Sequence, residues 1–184
     1  MRASHLNKAL GLKEESVEII LRKAAQTDVQ EIAKIHVSSW KSAFDGLMPE
    51  GYINGFTVSS RVEEWQRTIK NNTESVVVAE SGNKVVGFMS YSVHPENAEI
   101  TELSKLYLCP SVYGRRLGSK FLAHLELESQ AVGTKTIILY VLDNNEAAIQ
   151  FYSKHGFEFA DGVMSEEFEG SVIIDLQMIK RVQA

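Results

Sequence analysis

The chain reads as one α/β (α+β) domain, and three observations predict it. Apolar runs of strand type and amphipathic runs of helix period follow one another in the order β-α-α-β-β-β-α-β-α-β-β. Residues 102–126 run as a strand, a turn broken by Pro110 and a glycine-marked entry into a helix whose Leu117, Phe121, Leu122 and Leu125 share one face. Residues 138–157 repeat the plan with a strand, an Asn-rich helix entry and a short helix ended by Gly156. No linker, internal repeat or low-complexity tract interrupts the 184 residues. Residues 16–184 are therefore expected to form one domain behind a polar, flexible lead-in over residues 1–15.

The elements follow in order. Residues 17–21 form a short β-type run, the first strand. Thr27 and Asp28 offer a helix cap before Val29, Ile32, Ala33, Ile35 and His36, whose spacing predicts a helix to Phe44, broken by Asp45-Gly46 and Pro49. Residues 51–56 are read as a connector. Val62, Trp65 and Ile69 predict a second helix over 59–69, ended by Asn71-Asn72. Residues 76–79 and 85–93 flank the turn Ser81-Gly82-Asn83 as a hairpin. Residues 100–108 form the long central strand, 114–132 a helix, 136–142 a strand and 145–155 a helix. Residues 158–163 and 172–178 close the chain as an antiparallel pair around an acidic loop with Glu166, Glu167 and Glu169.

The central strand breaks the simple alternation of a half-buried strand. Ile100 shares parity with Leu106 and Leu108, whereas Leu103 and Tyr107 have the other. Either both faces are buried or a bulge shifts the register, and a bulge is preferred because it would open a slot beside the strand.

Composition sets bounds. Hydrophobic content of 44% and charged content of 23% are those of a soluble globular protein, and a net charge of −5 disfavours a nucleic-acid surface. No apolar run is long enough to span a bilayer, and residues 1–10 lack the apolar core of a secretory signal. The one cysteine, Cys109, cannot form an internal disulfide, which fits a reducing cytoplasm, and is read as a packed thiol. His36, His124 and His155 stand without the carboxylate or cysteine pattern of a metal site.

The corner after Pro110 carries the first chemical signal. A helix start presents backbone N–H groups without intrahelical partners at the positive end of the helix dipole, which suits phosphate. Arg115 and Arg116 add two positive charges there. G-x-G-x-x-G spacing is absent, so a dinucleotide-binding α/β enzyme is not favoured.

Together the two segments resemble the GCN5-related N-acetyltransferase (GNAT) superfamily. The second matches its signature at Asn145, Ala148, Phe151, Tyr152, Gly156 and Phe157. The first matches its proline and glycine-bearing loop, here Tyr113-Gly114-Arg115-Arg116-Leu117-Gly118, with Tyr at the first position and Arg116 where glycine is usual. The resemblance implies the GNAT fold: a mixed, mostly antiparallel sheet of about seven strands, helices on both faces, splayed between the fourth and fifth strands. It implies acetyl-CoA as cosubstrate, its pyrophosphate on the N–H groups of Tyr113, Gly114, Arg115, Arg116, Leu117, Gly118 and Ser119. The pantetheine is expected along Leu106, Tyr107 and Leu108, with Asn145 touching it.

The same resemblance makes Tyr152 the candidate general acid and Glu102 the preferred general base, with Glu99 as the alternative. Trp40, Phe44 and Tyr52 flank the expected acceptor pocket. The implied activity is transfer of acetyl to a primary amine of a small molecule, peptide or protein. A non-catalytic coenzyme-binding module is the alternative reading. An edge strand near the C-terminus offers a route to a homodimer.

Overall fold

The computed structural model describes residues 18–182. The expected lead-in over residues 1–15 and the start of the first predicted strand lie outside them. Seven strands form one sheet: β1 (Ile19–Lys23), β2 (Ser75–Ser81), β3 (Lys84–His94), β4 (Asn97–Leu108), β5 (Thr136–Leu142), β6 (Glu158–Phe168) and β7 (Ser171–Arg181). Their spatial order is β1-β2-β3-β4-β5-β7-β6, and only β4 and β5 run parallel. Among the described residues five α-helices accompany it: α1 (Val29–Phe44), α2 (Glu50–Asn54), α3 (Val58–Asn71), α4 (Leu117–Ala131) and α5 (Glu146–Lys154). No helix among the described residues is long and apolar enough to cross a membrane.

Two local outcomes differ from the sequence reading. The connector at 51–56 contains α2, a short helix that starts after Pro49. The acidic loop is mostly strand, because β6 runs to Phe168 and the chain reverses at Glu169 and Gly170, both at positive φ. The edge strand expected near the C-terminus is present and is β6, because β7 lies between β5 and β6.

Each face of the sheet carries a separate core. On one side Val29, Ile32, Ala33 and Ile35 of α1 and Trp65 of α3 pack on Val76, Val78 and Phe88. On the other, Leu117, Phe121, Leu122 and Leu125 of α4 pack on Met89, Leu103, Ile137, Leu139 and Met178. The expected amphipathic stripes thus supply both cores.

A bulge in β4 resolves its mixed parity. Ser90 pairs with Lys105 and Tyr91 with Leu103, so Ser104 is an extra residue on β4. Leu103 before it and Leu106 and Leu108 after it consequently face the α4 core, while Tyr107 stacks on His36 on the opposite face. Both readings of the pattern hold together: two buried faces and a bulge.

Beyond the bulge β4 leaves its neighbour. It pairs with β5 only at Ile100, Thr101 and Glu102, although β4 continues to Leu108 and β5 to Leu142. The sheet is splayed between its fourth and fifth strands, as expected.

Candidate active site

The splay opens one cavity of about 1270 Å³ that runs from the start of α4, through the sheet, to α1 and α2. Pockets for drug-sized ligands span roughly 300–1,000 Å³. This one has room for a ligand longer than that, or for two. Every site residue predicted from the sequence lines it except Arg115 and the alternative base Glu99, both exposed outside it.

At the α4 end the chain passes through a short 3-10 turn (Pro110–Val112) before Gly114 turns at φ +76° and Arg116 at φ +58°. The left-handed conformation at Arg116 explains why glycine suits this position: a side chain there costs about 1–2 kcal/mol. Arginine accepts that cost and keeps the backbone path. Lys120 N–H closes the first helical bond, onto the Arg116 carbonyl at 3.1 Å. Leu117, Gly118 and Ser119 thereby occupy the first turn, whose N–H groups an α-helix leaves free for an anion. Gly118 also serves packing, since a Cβ there would sit 2.8 Å from the Phe151 ring of α5.

Along the gap the backbone of β4 is exposed on one edge. Cys109 N–H donates to the Val86 carbonyl of β3 at 2.9 Å, so by strand alternation Tyr107 also faces β3 while Leu106 and Leu108 face the gap. The Leu108 carbonyl already accepts from Ser39 Oγ at 2.9 Å. Opposite, Asn145 caps α5 by accepting from Ala148 N–H at 3.1 Å. These groups fit a pantetheine arm laid beside β4 as an added strand.

Tyr152 lies in the cavity wall against Phe151 and Phe157, at ring-centroid distances of 5.2 and 5.7 Å. Burial pushes its phenol up to about 12, so it stays protonated at neutral pH. Burial also raises Tyr107, above the ordinary tyrosine range, and the Cys109 thiol.

The far chamber lies on the α1 face. Trp40 and Phe44 of α1 stand 4.5 Å apart by ring centroid, and Tyr52 of α2 packs 5.2 Å from Phe168 of β6. Among the described residues the buried indole N–H of Trp40 has no hydrogen-bond partner, and neither has Glu74 Oε2 in the same wall. Glu102 lines this chamber, whereas Glu99 is exposed and paired with Lys135. Strand parity alone could not separate the two.

Asp175 and Tyr140 in this wall were missed by the sequence reading, which placed Glu166 in an acidic loop. Asp175 of β7 pairs in register with Leu142 and Met164 and lines the chamber. Burial, then Glu166 and Asp143, push its carboxyl up. Its signal was a charge inside the apolar run Val172, Ile173, Ile174, Asp175, Leu176. Glu166 accepts a hydrogen bond from the Tyr52 hydroxyl, and burial and that carboxylate together push the phenol up to about 12. Tyr140 accepts from Gln177 Nε2 at 3.0 Å across the strand pair.

Comparison with known proteins agrees with this geometry. The model of the acetyltransferase (GNAT) family matches residues 32–157. A spermidine N(1)-acetyltransferase of Thermoplasma acidophilum is 24% identical over 163 residues, covering 83% of this chain and 99% of the relative. The crystal structure of PaiA N-acetyltransferase from Thermoplasma acidophilum with coenzyme A has a TM-score of 0.69 at 25% identity, covering 89% of this chain and 99% of that one. YncA of Salmonella typhimurium, solved with acetyl-CoA, has the same fold at a TM-score of 0.69 and 19% identity, covering 91% and 95%.

Proposed function

The chain belongs to the acetyltransferase (GNAT) family and is an acetyl-CoA-dependent acyltransferase; from that premise we propose that it acetylates a primary amine of a small polycation of the polyamine type. The observation that carries the proposal is the acceptor chamber. Glu102, Glu166 and Asp175 line it, and none of the three joins an ion pair among the described residues. Burial first, then the nearby Glu166 and Asp143 carboxylates, push Asp175 up; an entering ammonium chain relieves the repulsion among them. Trp40, Phe44 and Tyr52 supply flat apolar walls for the methylene segments between charges. The similarity to a spermidine acetyltransferase supports the same reading.

Acetyl-CoA supplies an activated thioester for attack by the amine. The first turn of α4 holds its pyrophosphate, and the Leu106 backbone N–H donates to the thioester oxygen as negative charge grows there. Glu102 takes the proton from the ammonium, directly or through water, and Tyr152 gives one to the departing thiolate. A thiol titrates near 8.5, well below the Tyr152 phenol, so the phenolate regains its proton from solvent once the thiol has left. Positioning the two substrates across the splay supplies most of the rate, on the order of 7–11 kcal/mol.

Thiol release measured over an amine panel tests this. Spermidine and spermine should exceed monoamines and neutral peptide amines in kcat/KM by at least about tenfold, since one added ion pair in a half-buried site is worth more than about 1 kcal/mol. Asp175→Asn should raise KM for the polyamines and leave KM for acetyl-CoA unchanged. Equal turnover of polyamines and monoamines, with Asp175→Asn silent, rejects the acceptor class.

A further inference from the structure

His155 joins the two halves of the coenzyme corner. It is the C-cap of α5, with its Nδ1 2.8 Å from the Phe151 carbonyl and its Nε2 2.8 Å from Ser119 Oγ in the first turn of α4. It lines the cavity together with Ser119 and Arg116.

The chemistry of these contacts sets the direction of every proton. A carbonyl only accepts, so Nδ1 carries a hydrogen. In the neutral ring Nε2 is then an acceptor, and the Ser119 hydroxyl must donate to it. The hydroxyl's only hydrogen points away from the anion site, and its lone pairs are left for a phosphate that is itself an acceptor. Protonation reverses the arrangement. Nε2–H donates to Ser119 Oγ, the hydroxyl hydrogen turns to a phosphate oxygen, and a positive charge stands behind it.

We propose that His155 is a positioning residue which, through Ser119, couples binding of the coenzyme pyrophosphate to the uptake of a proton. The inference rests on the placement of the pyrophosphate at the start of α4. The ionisable groups on the elements around it are Glu146, Tyr152 and Lys154 on its own helix, Arg115, Arg116, Lys120, His124, Glu126 and Glu128 at and along α4, and Lys180 of β7 beside Gly156. Lys180 is paired with Glu126 at 2.8 Å. By linkage, a ligand that binds the protonated form more tightly also brings a proton with it.

The probe is 3′-dephospho-coenzyme A, which keeps the pyrophosphate but lacks the phosphate monoester that would itself titrate near neutrality. Calorimetry near pH 7 in two buffers of different ionisation heat measures protons exchanged on binding. The wild-type chain should take up a fraction of a proton, and its affinity should rise as pH falls from about 8 to about 6, by at most tenfold per unit for one proton. His155→Gln should bind with no uptake and a flat pH profile. Ser119→Ala, which removes the hydroxyl relay without touching the ring, should lose most of the uptake and decides the matter if His155→Gln does not fold. Wild-type binding without uptake, or unchanged uptake in the variants, overturns the coupling. If the wild-type chain binds neither coenzyme A nor its dephospho form, the placement of the pyrophosphate fails and the coupling with it.

Discussion

Tyr152 shows how the surroundings of one side chain suit it to the role proposed for it. Beside Phe151 and Phe157 its phenol is pushed up to about 12, which keeps it protonated at neutral pH, as a general acid must be. Tyr152→Phe keeps the packing and removes only the hydroxyl. We expect kcat to fall by about 10²-fold or more, the usual worth of a positioned acid, with KM for acetyl-CoA unchanged. Full turnover in steady-state assays of the variant would remove the acid role. Arg116 makes the complementary point about backbone: the expected glycine is absent, yet the left-handed turn is kept at φ +58°.

At the scale of elements, the site depends on the bulge at Ser104 and on the contact between α4 and α5. The bulge lets Leu103, Leu106 and Leu108 face one core although their numbers differ in parity, and it coincides with the departure of β4 from β5. The helix contact is close because Gly118 has no side chain toward Phe151. In Gly118→Ala the new Cβ would lie 2.8 Å from the ring, so the ring or the helix must move. Overpacking of this kind costs about 1–3 kcal/mol, and because Gly118 is in the first turn the shift should also weaken coenzyme binding. Urea denaturation and coenzyme titration of the variant measure the two losses. A variant unchanged in both would show that the helices have slack.

The whole molecule contains a buried histidine, His36, whose lowered pKa links folding to pH. His36 accepts from Trp65 Nε1 at 3.2 Å and stacks on Tyr107 at 5.0 Å. Burial first, then the charges of Arg61 and Lys105, lower it to about 3. An unfolded histidine titrates near 6.5, so between these values the unfolded chain binds the extra proton. Stability is therefore lost as pH falls below about 6.5, by up to about 1.4 kcal/mol per pH unit. Asp175, whose carboxyl is pushed up, works in the opposite direction and reduces the net slope. Urea midpoints should fall between about pH 6.5 and pH 4.5, and His36→Gln, which can still accept from Trp65, should flatten the decline. The same slope in the variant would place its origin in the carboxylates.

Much of the local geometry of the proposed donor side was legible in the sequence. Glycines, proline, the Asn145 cap and the stripe of α4 act through local backbone geometry and periodicity, which a linear chain displays directly. The acceptor side was decided by the tertiary structure. Glu102 was separated from Glu99 only by where β4 sits beside β5, and Asp175 met Glu166 and Tyr52 only because β7 inserts between β5 and β6. His155 found Ser119 across 36 residues because α5 packs against the start of α4. Charges and hydroxyls from distant strands carry no mutual signature along the chain. Their proximity arises from strand order and from the gap that opens where β4 and β5 stop pairing.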